Sequence, residues 1–264
     1  MINNIFQWLT SSATWSGDTG LGARLVQHIW YSLLAVVIAA VIAIPLGLWV
    51  GHTGRAKWLV TLANSLRAVP TLGLLFAVAL WLSPKFQSDL AFLIPSIVVL
   101  VVLVIPPILS GVYAGVEAVD PATRDAARGM GMRGFEVVRQ VEIPNALPLI
   151  LSGLRSAFLQ VIATATVAAY VGLGGLGRYL VDGIKTGDYV STAGGALVVS
   201  LLALIVDGIL AIVQRLVVSP GLTGGRKGRA LRGRASPDVV AAETDSLPQA
   251  GMSVGRGGVD PDAA

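Results

Sequence analysis

Arg67, Arg155 and Asp207 stand inside long apolar runs of this 264-residue chain, where a lone charge is costly and rarely faces lipid. At about 1.5 Å per residue, all three fall roughly 13–17 Å from the same boundary of their runs. Two readings follow. Asp207 pairs with Arg155 or Arg67 inside a helical bundle, or both arginines snorkel to the interface along their aliphatic stems. Neither is catalysis. The chain has no cysteine, which excludes a disulfide framework and a thiolate metal site. Its two histidines, His28 and His52, lie at or near the ends of one apolar run. Their spacing makes no metal site, and ordinary interfacial positions are expected for both. No nucleophile–base constellation and no paired carboxylates stand out.

Two nucleotide signals fail on context. Gly172, Gly174 and Gly177 spell G-x-G-x-x-G, a pattern that marks a dinucleotide site only between a strand and a helix. Here it follows an apolar helix, so flexible turn glycines at the mouth of a pathway are expected. Lys227 is followed by Gly228, without the Ser or Thr that a phosphate-binding loop places on magnesium. ATP hydrolysis by that mechanism is therefore not expected of this chain, nor is any cofactor.

The elements that must position these residues are membrane helices. Hydrophobic residues make up 54% of the chain and charged residues 13%, about half the charged share of a soluble domain. The apolar residues fall in blocks of about 20 or more, which predicts five spans at about 25–50, 58–82, 90–116, 146–171 and 193–218. The fold class is thus an all-α integral membrane bundle. Pro45, Pro70, Pro95, Pro106 and Pro107 fall inside spans, where packed neighbours can satisfy freed backbone groups. Gly47/Gly51 and Gly111/Gly115 have the GxxxG spacing that permits close helix contact. Trp30, Trp49, Trp58 and Trp81 near span ends read as an aromatic belt.

Basic residues set the orientation. Arg55 and Lys57 follow the first span, and Arg124, Arg128, Arg133 and Arg139 lie between the third and fourth. Arg226, Lys227, Arg229, Arg232 and Arg234 follow the fifth. The other side holds Arg24, Lys85, Arg178 and Lys185. The positive-inside rule then puts the N-terminus, with segment 1–24, outside and the C-terminus in the cytoplasm. This asymmetry favours a membrane over nucleic acid as the reason for a pI near 9.7. Residues 219–264 form a separate zone, Gly- and Arg-rich and then Asp-, Ala- and Gly-rich, expected to be disordered. Its basic cluster either sits on anionic lipid or is simply solvated.

The connection 120–145 is long for a chain with short loops. Pro121 can start a helix, Thr123–Arg128 is helix-compatible, and Gly129, Gly131 and Gly134 interrupt it. A second amphipathic piece follows over Phe135–Ile143 before Pro144. Two short helices joined at a glycine are expected to form a compact knob. The segment reads Asp125-Ala126-Ala127, Gly131, Val141, Ile143, Pro144. These spacings resemble the E-A-A-x3-G-x9-I-x-L-P loop of permeases in bacterial binding-protein-dependent ABC importers, with Asp for Glu, Val for Ile and Ile for Leu. The resemblance extends over 25–218. It looks closest to the glycine betaine, carnitine and choline (osmoprotectant) permeases on His28–Gly51, Arg67-Ala68-Val69-Pro70-Thr71-Leu72, Pro106–Asp120 and Thr164–Asp188.

The resemblance implies a permease subunit in the bacterial inner membrane that works by alternating access. It implies two permease subunits, identical or related, with two ATPase subunits that bind the ATP and an extracytoplasmic solute-binding protein. Asp125, Ala126, Ala127, Gly131, Val141, Ile143 and Pro144 would then couple the permease to the ATPase. No substrate-binding residue is legible. Permeases for methionine and other small solutes share the architecture and remain an alternative. An ion-coupled secondary transporter would normally need a larger chain or internal repeats, and no convincing repeat is present. A membrane scaffold that transports nothing leaves the loop spacing unexplained.

Overall fold

The structure, a computed structural model, describes residues 2–218. The expected C-terminal disorder over 219–264 lies outside the described residues. Two short helices open the chain, α1 (Ile2–Thr10) and α2 (Ser12–Trp15). The long helix α3 (Leu21–Thr53) follows and stops at Gly54, whose φ of +66° is left-handed. Next come α4 (Trp58–Ser65), α5 (Thr71–Leu82) and the long α6 (Leu90–Glu117). The connection holds α7 (Pro121–Gly129) and α8 (Gly134–Val137), then leads into α9 (Ile143–Ala168). The amphipathic α10 (Gly177–Thr186) precedes α11 (Tyr189–Val217).

Among the described residues, α3, α6, the continuous helical stretch Gly134–Val171 and α11 are long and apolar enough to cross a membrane. The expected second span is not one straight helix. A 3₁₀ turn at Leu66–Ala68 and the break before Thr71 bend it by 95°. Pro70 causes the break: it cannot donate a backbone hydrogen bond, and it pushes Val69 into extended backbone at ψ 129°. The bent pair still tracks α6 from end to end. Lys57 meets Glu117, Ser110 donates to Asn64, and Ser83 donates to the Ala91 carbonyl.

The core is α6, buried between α3 and α9. Lipid offers no hydrophobic drive for helix association, so close packing must supply it. The two glycine pairs singled out in the sequence lie at these crossings. A Cβ on Gly47 or Gly51 would strike Val112 or Val116 on α6 at 2.7 Å. One on Gly111 would stand 2.8 Å from the Gly153 Cα on α9. The three prolines of α6 remove three donors, and side chains replace two of them. Pro95 leaves the Ala91 carbonyl open, and Ser83 Oγ donates to it at 2.6 Å. Pro107 leaves the Leu103 carbonyl open, and Gln160 Nε2 of α9 donates to it at 2.8 Å.

The connection differs from two separate short helices. The expected second piece runs without a stop into α9: a π-helical turn at Val138–Glu142 joins α8 to Ile143. Pro144 does not end it, because it falls in the first turn of α9, where no N–H is needed. The helix α10, between the fourth and fifth apolar runs, was not anticipated.

Candidate functional site

The connection between α6 and α9 is built from local rules. Asp120 Oδ1 accepts from the Ala122 N–H at 2.8 Å, and Pro121 opens α7. After α7 the chain reverses at Gly131, whose φ of +88° only glycine adopts freely. There the Gly131 N–H donates to the Arg128 carbonyl and the Met132 N–H to the Ala127 carbonyl. Glu136 then reaches back to accept from the Arg133 N–H at 2.7 Å and fixes the start of α8.

These elements sort the residues picked out in the sequence. Ala127 is buried, whereas Asp125, Ala126, Gly131 and Pro144 are exposed and Val141 and Ile143 half-buried. Asp125 points outward and approaches Arg128 at 3.7 Å. Two large apolar side chains not singled out in the sequence stand beside them. Met130 is 73% exposed and Phe135 75%. Polar turn residues would normally fill such positions, so the tip of the connection exposes apolar side chains.

A buried carboxylate ties that tip to the bundle. Glu142 is fully buried in the π-helical turn. Its Oε2 is 2.9 Å from His52 Nδ1 at the end of α3, and its Oε1 is 2.9 Å from Arg124 Nε on α7. The second contact is an ion pair without hydrogen-bond alignment. Arg124 also donates through Nη2 to the Val116 carbonyl, one of the last acceptors of α6. One carboxylate thus joins α3, α7 and the entry to α9. A second tie lies outside it: Lys57 Nζ donates to Glu117 Oε1 at 2.9 Å, which raises the lysine above its ordinary value. His52 is therefore more than an interfacial side chain.

The intramembrane charges also resolve. Arg155 and Asp207 meet in a bidentate pair, Nε to Oδ1 and Nη2 to Oδ2, both at 2.5 Å. The pair fastens α11 to α9. Arg67 takes no part: it is exposed in the 3₁₀ turn where α4 and α5 break. His28 was expected at an interface, yet it is 1% exposed. Its Nε2 lies 3.1 Å from the Ile162 carbonyl of α9. Trp30, Trp49, Trp58 and Trp81 do face outward, each at least 48% exposed.

The glycine-rich turn after α9 is packed rather than loose. Gly172 and Gly175 have φ of +99° and +88°. A Cβ on Gly172 would meet the Phe92 ring at 2.7 Å, and one on Gly177 the Thr166 carbonyl oxygen at 2.4 Å. The Gly175 N–H donates to Gln27 Oε1 at 3.1 Å, which holds the turn against α3. The glycines serve close approach between helices, and no strand precedes them.

The comparisons with known proteins agree with this helical fold. Residues 43–219 match the family described as binding-protein-dependent transport system inner membrane component. The chain is 34% identical over 200 residues to the glycine betaine/carnitine/choline transport system permease protein OpuCB of Bacillus subtilis (strain 168), covering 75% of this chain and 88% of that protein. It is 33% identical over 206 residues to the osmoprotectant import permease protein OsmW of Salmonella typhimurium, covering 76% and 94%. Among solved structures, a chain of the MetNI methionine ABC transporter in an inward-facing conformation superposes with a TM-score of 0.66. That match has 21% identity and covers 75% of this chain and 97% of that one; it shows the fold. This chain belongs to the inner membrane components of binding-protein-dependent transport systems and is a multi-pass protein of the cytoplasmic membrane.

Proposed function

We propose that this chain is the permease subunit of an ATP-driven importer for a quaternary ammonium osmoprotectant such as glycine betaine, carnitine or choline. The observation that carries the coupling half of this reading is the connection between α6 and α9. It presents Asp125, Ala126, Met130 and Phe135 on an outer face and is anchored through Glu142 to α3 and α9. A rigid tip on a rigid anchor passes on a push; a loose loop absorbs it. The substrate half rests on the relatives' names, one for glycine betaine/carnitine/choline transport and one for osmoprotectant import.

The tip faces the cytoplasm in this reading and docks on a separate ATPase subunit, which binds the ATP. The charge pattern supports that side. His52–Glu142 and Lys57–Glu117 hold the loop after α3 and the α6–α9 connection at one end of the bundle, with Arg55, Arg124, Arg128, Arg133 and Arg139. Trp8 of α1 packs edge-on against Tyr179 and lies against Gly194, at the start of α11. Gln214, near the other end of α11, donates to the Pro148 carbonyl near the connection. These contacts support a reading in which the bundle makes five crossings, with the bent pair counted as one. Arg67 supports a paired permease. It is exposed at a break inside the bundle's length and has no carboxylate within 4 Å among the described residues. A second permease subunit enclosing a wet path gives that charge its place.

The test is ATP hydrolysis by the chain reconstituted with its ATPase and binding protein. Glycine betaine, choline, carnitine and methionine are supplied in turn. Stimulation by a quaternary ammonium solute supports the reading. Stimulation by methionine alone keeps the coupling mechanism and replaces the substrate.

A further inference from the structure

The end of the bundle away from the α6–α9 connection holds a polar pocket of about 240 Å3. Arg24 and Tyr31 of α3 line one side; Asp89 and Phe92, at the start of α6, line another. The turn Gly172–Gly174 closes it. Gln27 Oε1 accepts from Arg24 Nη1 at 3.3 Å and from the Gly175 N–H at 3.1 Å, so the arginine is held by the same oxygen that fixes the turn. Asp89 occupies the N-cap position of α6, yet its side chain does not cap the helix.

A cation and an anion thus line one small pocket without closing on each other. Among the described residues neither has an opposite charge within 4 Å. The adjoining pocket of about 330 Å3 also borders Arg24, but its own arginine, Arg178, is already closed on Asp182 at 2.9 Å. Unpaired opposite charges held apart complement a solute that carries both. The volume lies below the 300–1,000 Å3 typical of pockets for drug-sized ligands, so the fit is to something smaller. A quaternary ammonium group has no N–H to donate and is recognised by a carboxylate and aromatic faces.

We propose that this pocket is a transit site for a small zwitterion with a quaternary ammonium group. Its carboxylate engages Arg24, and its ammonium lies between Asp89 and the rings of Tyr31 and Phe92. The proposal rests on the importer reading and on the orientation that turns this end toward the binding protein. It makes Arg24 a specificity residue: a zwitterion needs it, and choline, which has no carboxylate, does not.

The experiment is ATP-driven uptake by proteoliposomes containing the chain, its ATPase and its binding protein, with labelled glycine betaine or choline. Arg24→Gln should slow glycine betaine uptake about tenfold or more and leave choline within about twofold, the loss expected for one charged hydrogen-bond partner. The retained choline uptake shows that the variant is folded and coupled. Arg24→Lys should recover most of the glycine betaine rate. Asp89→Asn should slow both solutes, and Asp89→Glu should restore them. Equal loss of both solutes in Arg24→Gln, or no loss in either variant, overturns the proposal and leaves the importer reading standing. No uptake of either solute by the parent chain overturns both.

Discussion

His52 Nδ1 lies 2.9 Å from Glu142 Oε2, so the last turn of α3 is tied to a carboxylate 90 residues later in the chain. The other oxygen of Glu142 faces Arg124 on α7. Glu142 itself is fully buried, while His52 and Arg124 keep 22% and 19% of their side chains exposed. Glu142→Ala strands Arg124 and removes the tie, and we expect a loss of about 3 kcal/mol of stability, the lower edge for a broken buried pair. His52→Ala leaves the ion pair with Arg124 and should cost about 1–2 kcal/mol. Thermal unfolding of the purified variants in one detergent gives both values, and equal losses would contradict this ranking.

Gly131 should tolerate asparagine and reject valine. Its φ of +88° strains any β-branched residue by about 1–2 kcal/mol, although the space around it is open. Gly129, two residues earlier, also has open space and no such φ, so Gly129→Ala is the control. In the reconstituted importer, Gly131→Val should leave ATP hydrolysis running without uptake. Gly131→Asn and Gly129→Ala should keep the two coupled.

Phe135 should matter for assembly and not for folding. It is 75% exposed, so Phe135→Ala removes little internal packing. If the apolar tip docks on the ATPase subunit, the same change should weaken binding about tenfold or more. Titration of the ATPase subunit onto the immobilised permease reads this directly. Because the chain has no native cysteine, Ala126→Cys also supplies a single site for cross-linking to the same partner.

Arg155 and Asp207 should behave as a unit. Either Asp207→Asn or Arg155→Gln alone leaves a charge in the α9–α11 contact without its bidentate partner. The double variant should be less damaged than the sum of the single ones, with a coupling of about 0.5–3 kcal/mol. Additive losses would show that the pair contributes no specific attachment of α11.

The sequence displayed what depends on neighbours along the chain. The apolar blocks, the span-breaking prolines, the glycine spacings and the turn at Gly131 are local and were legible. The Arg155–Asp207 pair was legible only as one of two readings, because depth along a helix says nothing about rotation around it. The tie from Glu142 to His52 was not legible, since one sequence holds no record of which helices touch. His28 misled for the same reason: its place near a span end suggested an interface, but it is buried with its ring against the Ile162 carbonyl of α9. The break at Val69–Pro70 was visible as a proline, yet its 95° bend depends on where α4 and α5 each rest on α6.

The most direct test of the importer reading is solute uptake into proteoliposomes that hold this chain, its ATPase subunit and its binding protein. Labelled glycine betaine is supplied outside, with ATP on the ATPase side and all ion gradients collapsed. The account predicts accumulation above the external concentration that stops when ATP is replaced by a non-hydrolysable analogue. Accumulation that persists without hydrolysis and follows an imposed ion gradient would contradict it.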